Sequence, residues 1–398
     1  MKTTNLASLF ASVLIAGAML GANAQSGYDS VLKTIEANNT TLMALREQKE
    51  AQKITNRTGI FPYDPEIEFH YLWGSPGDVG KRTDIAISQS FDFPTAYGYR
   101  RKIANLQNAN AELAYRAERM GLLLSAKQAC VELVYYNALA QENATRLKNA
   151  EITAESQQKS FEQGQANILD HNRAQMSLAA AKAEAANIEA ERAALLSELR
   201  RLNGGKDIAL TDAEYPDNEL PASFDDWYSQ AEAKSPALQY LSGQIQIGQQ
   251  QIKLNRALNL PKLSVGYMSE RVSGGERFHG VTMGMSIPLW ENRNRVKEAR
   301  AYTRAAQSEL EDNKVQFYNQ LRATHAKAAA MQQTAQQLRE SLKAHGNEPL
   351  LKRALDAGAI SLLEYLLEIE YHYSTVDKVL EAERNYQNAL AELSAVEL

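Results

Sequence analysis

The chain has 398 residues, a net charge of −5, 44% hydrophobic and 23% charged side chains. That balance gives no sign of disorder and no basis for nucleic-acid binding. The only cysteine, Cys130, leaves neither a disulfide framework nor a Cys-based metal site.

The first segment, residues 1–24, reads as an export signal: basic Lys2, an apolar run over 6–20, and Ala22-Asn23-Ala24 before Gln25. No cysteine follows the cleavage site, so a lipid-anchored N-terminus is not expected. Beyond Ala24 no continuous apolar run approaches the roughly 20 residues of a spanning helix. Residues 28–58 follow a helical period through Val31, Leu32, Ile35, Leu42, Leu45 and Ile54, ending near Thr58-Gly59.

A period of two then takes over. Ile67, Phe69, Tyr71 and Trp73 alternate with Glu66, Glu68 and His70. After a Gly/Pro-rich loop, Ile85, Ile87, Phe91 and Phe93 alternate with Asp84, Ser88, Ser90 and Asp92. The pair, about 65–93, predicts a hairpin with one apolar and one polar face. From residue 96 a helical period holds for about 65 residues, roughly 100 Å at 1.5 Å per residue. Leu106, Leu113 and Met120 form one heptad row, and Ala117, Leu124, Val131 and Ala138 its neighbour. A turn at 164–167 reverses the chain into a shorter arm reaching Asn203, with Ile188, Leu195 and Leu202 seven apart. Arg192 interrupts the row beside them, Leu178, Ala185 and Leu199.

Residues 204–226, rich in Gly, Pro, Asp and Glu, read as a linker. The plan then repeats: a helix over 227–257, a hairpin about 262–289 and a helical arm about 294–398. The second hairpin turns at Ser273-Gly274-Gly275-Glu276. Its apolar positions are Leu263, Val265 and Tyr267, then Val281, Met283, Met285 and Ile287. Pro94 to the turn Phe161-Glu162-Gln163-Gly164 and Pro288 to the turn Leu355-Asp356-Ala357-Gly358 have equal lengths at an offset of 194. The offset also carries Leu169 onto Leu363, Asp170 onto Glu364 and Glu198-Leu199 onto Glu392-Leu393. The chain is a duplicated unit, residues 25–203 and 227–398. Gly346 and Pro349 have no counterpart in the first half and predict a local break.

Each alternating run has the length of a tilted transmembrane strand. Four strands cannot close a barrel, and open edges in lipid leave backbone groups unpaired, so several copies must pool their strands. Trp73 and Phe278 at one end, with Phe61, Tyr97, Tyr99 and Trp290 at the other, are candidates for interfacial girdles. Two hairpins packed on an ordinary core are the alternative.

This duplicated order of helix, hairpin, long helix, glycine turn and return helix resembles the TolC family of outer-membrane efflux and secretion channels. The turns Phe161/Gly164/Asp170 and Leu355/Gly358/Glu364 carry the same resemblance. Compact length and short hairpins look most like the outer-membrane subunits of heavy-metal efflux systems of the resistance-nodulation-division type. The resemblance implies a mainly α fold with a membrane β part. Homotrimers would form a 12-stranded β-barrel continuous with a periplasmic helical barrel. It also implies a periplasmic adaptor (membrane fusion protein), an inner-membrane efflux pump and outer-membrane lipid as partners. Phe161, Gly164, Leu355 and Gly358 would then sit at the periplasmic tip against the adaptor. Asp170 and Glu364 would form rings of carboxylates that favour cations, or serve the dipole of the return helices. Relatives often carry a lipidated N-terminal cysteine, which this chain lacks, and the stop at Leu398 suggests a reduced equatorial belt.

Enzyme signatures are missing: no His-Glu-x-x-His, no Gly-x-Ser-x-Gly, no phosphate loop and no dinucleotide fingerprint. Neither cofactor nor metal is expected. The six histidines are scattered, and His171 reads as a solvated surface residue. The expected function is a duct of a tripartite efflux system, for metal cations or small toxic compounds. An exported periplasmic coiled-coil scaffold, the adaptor itself, or the duct of a type I secretion system are the alternatives.

Overall fold

The computed structural model describes residues 27–76 and 79–398; the export-signal segment lies outside the described residues. The helix expected over 28–58 is two helices, α1 (Gly27–Asn38) and α2 (Thr40–Thr55). Asn39 breaks them apart. Its backbone turns extended, its side-chain oxygen accepts the Leu42 N–H at 2.8 Å, and its amide donates to the Leu202 carbonyl at 2.7 Å. A buried N-cap that also binds a second helix makes the break more stable than a continuous helix. Gly204, at φ +64°, passes so close that a Cβ there would lie 2.5 Å from the Asn38 carbonyl oxygen.

Strands β1 (Glu66–Trp73) and β2 (Lys81–Phe91) form the first hairpin. Helix α3 (Pro94–Glu162) then runs unbroken for 69 residues, and α4 (Ile168–Leu202) returns along it. The linker is irregular as far as Ser223, but its last three residues already belong to α5 (Phe224–Lys234). The single helix expected over 227–257 is likewise two, since Ser235 separates α5 from α6 (Pro236–Ala257). Pro236 sits in the first turn of α6, where its missing N–H costs nothing. Ser235 and Asn39 are the same break in the two halves, at an offset of 196.

Strands β3 (Lys262–Val272) and β4 (Arg277–Ser286) form the second hairpin. The second arm is α7 (Arg295–His345) and the short α8 (Glu348–Asp356), broken at Gly346 as the sequence indicates. Helix α9 (Leu362–Leu393) returns, ending in a 3-10 turn, Ser394–Glu397.

The heptad rows assigned to α3 need correction. Val131 of the second row is fully buried, but Leu106, Leu113, Met120 and Leu124 are only half-buried. The buried stripe through the middle of the helix is Leu123, Ala126, Cys130, Leu133 and Asn137. Helix α3 packs on α1, α2, α4, α6 and α9, so the side it buries rotates along its length; a helix of 3.6 residues per turn drifts off a fixed heptad seam in any case. Apolar counting also missed the asparagines. Asn137 is buried, donates to the carbonyls of Leu210 and Asp212 at 3.0 Å, and accepts from Arg192 Nε at 2.9 Å. The arginine that interrupts the α4 row thus serves a buried amide.

The two halves each have a core at mid-length. The first gathers Ile35, Leu133, Val134 and Leu199 around Cys130. The second is more aromatic, with Tyr228 and Tyr386 buried and Phe224, Trp227, Phe317 and Tyr318 packed against them. A third cluster, Ala154, Ala174, Leu362, Tyr365 and Ile369, ties α3 and α4 to α9 near the glycine turns.

Candidate functional site: the open sheet and the helical tip

The two hairpins join. β2 pairs with β3 over ten residue pairs, from Arg82↔Val272 to Phe91↔Leu263, giving one antiparallel sheet in the order β1-β2-β3-β4. One face collects Ile67, Ile87, Tyr267 and Val281 in a single cross-strand row, with Val265 beside Met283 and Leu263 beside Met285 in others. This apolar face is open: Trp73 is 75% exposed, Met283 84% and Ile67 72%. The helices bury their apolar stripes against one another and leave the sheet face uncovered, as the sequence pattern requires.

The opposite face is polar and built from small residues. A Cβ on Gly266 would meet Thr282 Oγ1 at 2.6 Å and the Ile87 carbonyl oxygen at 2.8 Å, so only glycine fits there. Asp84, 6% exposed, lies on that face and accepts from Arg82 Nε at 2.9 Å, while Glu270 contacts the same guanidinium at 2.9 Å. Among the described residues β1 and β4 have no outer neighbours, so each presents a row of unpaired backbone groups.

At the other end of the arms lie the glycine turns. Gly164 and Gly358 take φ of +70° and +67°, the left-handed conformation that ends a helix without steric cost only in glycine. In each, the glycine N–H donates to the carbonyl three residues earlier, that of Phe161 or Leu355. The four residues singled out from the sequence are not equivalent. Phe161 is exposed, whereas Leu355 is half-buried against the tip cluster of Ala154, Ala174, Leu362, Tyr365 and Ile369. His171 is no solvated residue: its ring stacks on Phe161 at 5.2 Å, and its Nδ1 is buried without a hydrogen-bond partner.

Asp170 and Glu364 both sit in the first turn of a return helix. Asn167 caps α4, accepting the Asp170 N–H at 2.9 Å, and Asp170 pairs with Arg173 at 3.2 Å. Ser361 and Glu364 form a reciprocal capping box: the Glu364 carboxylate accepts the Ser361 N–H at 2.8 Å and its hydroxyl at 2.8 Å. The backbone bond from Ser361, then its hydroxyl, holds the Glu364 carboxyl below the usual range. These contacts give both acids the helix-terminus role. Sequence reading missed Arg146, which reaches from α3 to α9. It binds Asp377 at 2.6 and 3.1 Å, donates to the Tyr373 carbonyl at 3.3 Å and lies over the Tyr373 ring. Among the described residues no group of three or more His, Cys, Asp or Glu could hold a metal.

Residues 227–396 match the family model for outer membrane efflux proteins. The second half of the chain is thus similar to outer membrane efflux proteins. Alkaline protease secretion protein AprF of Pseudomonas aeruginosa is 25% identical over 335 residues, 76% of this chain and 66% of that protein, just under two thirds of its length. The crystal structure of CusC superposes with a TM-score of 0.76 at 16% identity, covering 92% of this chain and 91% of that one. The CmeC outer membrane channel of Campylobacter jejuni superposes at 0.74 and 15% identity, covering 92% and 84%. At these identities the two structures establish the fold: a helical barrel part with a β-barrel part.

Proposed function

We propose that three copies of the chain pool their sheets into one closed 12-stranded barrel and their arms into a periplasmic tunnel, forming a passive export duct. The supporting observation is the sheet, with an apolar face turned outward and both edges unpaired. In lipid each unpaired backbone group costs several kcal/mol, so such a sheet is stable there only when other copies close it. On this reading residues 25–203 and 227–398 are the two structural repeats, and the segment 204–226 belts the tunnel at mid-length.

A periplasmic adaptor would dock at the tip around Gly164 and Gly358, with exposed Phe161 offering more surface than Leu355. An inner-membrane pump would supply energy and cargo, either metal cations or small toxic compounds. Asp170 and Glu364, repeated three-fold, would place a ring of negative charge at the narrow end in addition to capping their helices. Likeness to a protease secretion protein favours a second reading, the duct of a type I secretion system with a polypeptide cargo.

Detergent extraction, light scattering and planar-bilayer recording test the reading together. The expected result is a detergent-dependent trimer with a stable conductance. Its cation preference should fall in the Asp170→Ala/Glu364→Ala protein, and unchanged preference would leave those acids as caps only. A water-soluble monomer would overturn the duct.

A further inference from the structure

The helices that carry the sheet stand side by side in the order α2, α3, α6, α7, under β1, β2, β3, β4. α3 and α6 meet inside the chain, whereas α7 and α2 are the outer members and each leaves a flank open. On the open flank of α7, Lys297, Arg300 and Arg304 follow one another at helical spacing. All three are exposed, and among the described residues none has an ion-pair or side-chain hydrogen-bond partner. On the open flank of α2, Glu47 is exposed and equally unpartnered, on a stripe with Ala44, Ala51 and Ile54, the last 72% exposed. Three free cations on one flank and a free carboxylate beside apolar surface on the other are complementary.

The duplication says which of them meet. Inside the chain α3 crosses α6 with Asn110 set directly against Gly243. The Asn110 amide donates to the Tyr240 carbonyl at 3.1 Å, and a Cβ on Gly243 would fall 1.8 Å from Asn110 Oδ1. An offset of 194 carries Asn110 onto Arg304, and the offset of 196 that relates Ser235 to Asn39 carries Gly243 onto Glu47. The same shifts bring the α3 seam residue Ile103 onto Lys297 and its facing helix α6 onto α2. Thus the cationic face of α7 is the face by which α3 is packed within the chain.

We propose that a second copy of this chain covers this flank, with α7 of one copy seated on α2 of the next as α3 is seated on α6, and Arg304 paired with Glu47 across the joint. This rests on the duct reading, since β4 must meet β1 of the next copy to bring the flanks together. The joint within the chain is built from Ala96, Ile103, Leu254 and Ala257; the joint between copies is charged. The joint between copies is therefore salt-sensitive where the α3–α6 joint is not.

Engineered disulfides and a charge swap test the pairing in the full chain. Cys130 is buried, and burial pushes its thiol up to about 12, so it stays silent. The Glu47→Cys/Arg304→Cys protein is expected to run as a reducible covalent trimer. Arg304→Glu and Glu47→Arg alone should each lose trimer at moderate salt, and the combined swap should restore it. A detergent-extracted trimer that neither cross-links nor responds to these charges overturns the pairing while the duct stands. Monomer in every form, the unaltered chain included, sinks closure itself. If Lys297, Arg300 and Arg304 variants keep the trimer but lose binding to anionic phospholipid vesicles, the face belongs to lipid phosphate and the proposal fails.

Discussion

The first arm of the chain runs from Pro94 to Glu162 without interruption, whereas the second stops at His345 and restarts at Glu348. Gly346 leaves the helical path, and a Cβ there would lie 2.6 Å from the Leu342 carbonyl oxygen. Pro349 then fits the first turn of α8. The break has a use: it swings Glu348 to accept from Asn149 of α3 at 2.9 Å and to face His372 at 3.9 Å. Two arms of equal length thus reach the same positive-φ glycine by different routes. What the halves hold in common is therefore a better guide to what the architecture needs than either half alone.

The comparison can be broken most forcefully at mid-length. Leu199 and Leu393 are related by the 194 offset, are 0% and 2% exposed, and sit in the two separate cores. Leu199→Ala and Leu393→Ala should each cost about 2–5 kcal/mol, read as urea midpoints of the detergent-solubilised protein. Near-equal losses support structural equivalence; a loss confined to one half would show that the two cores are not the same device.

A smaller effect is expected at the helix starts by the tip. Ser361 and Asn167 cap α9 and α4 by the same acceptor geometry, so Ser361→Ala and Asn167→Ala should each cost about 1 kcal/mol of local stability. Hydrogen exchange in the first turns of the two return helices measures this. Protection unchanged in both variants would show that tip packing, not capping, holds these turns.

The smallest effect separates the caps by pH. Glu364 has a depressed carboxyl in the folded chain, so its contribution is complete above its unfolded pKa of about 4.3 and is lost as pH falls through the lower folded value. The protection factors of the first-turn amides of α9, corrected for the intrinsic exchange rate at each pH, should therefore fall at acid pH, and Glu364→Gln should remove that dependence. An identical acid response in the variant would assign the effect to other groups.

Much of this was legible in the chain because backbone geometry imposes its periods locally. Period-two alternation at Ile67, Phe69 and Tyr71 and the glycines at 164 and 358 needed no distant partner to be read. The breaks at Asn39 and Ser235 were harder, since an asparagine or serine inside a helical period caps a helix only when something else stabilises the interruption. At Asn39 that something is the Leu202 carbonyl, far along the chain. His171 looked solvated because its stacking partner, Phe161, lies across a turn. Arg146 was not singled out because Asp377 is in the other half.

By itself the sequence determined the duplicated order of elements, the outward apolar face of the strands and the left-handed turns. Each of these follows from local sterics and from the repeat of side chains along one segment. Only the tertiary structure decided that β2 pairs with β3, which side of α3 is buried at each level, and where the asparagine amides find carbonyls. Those outcomes depend on which of many chemically acceptable partners comes within hydrogen-bond reach, and pairs nearly two hundred residues apart are set by packing geometry rather than by neighbouring residues.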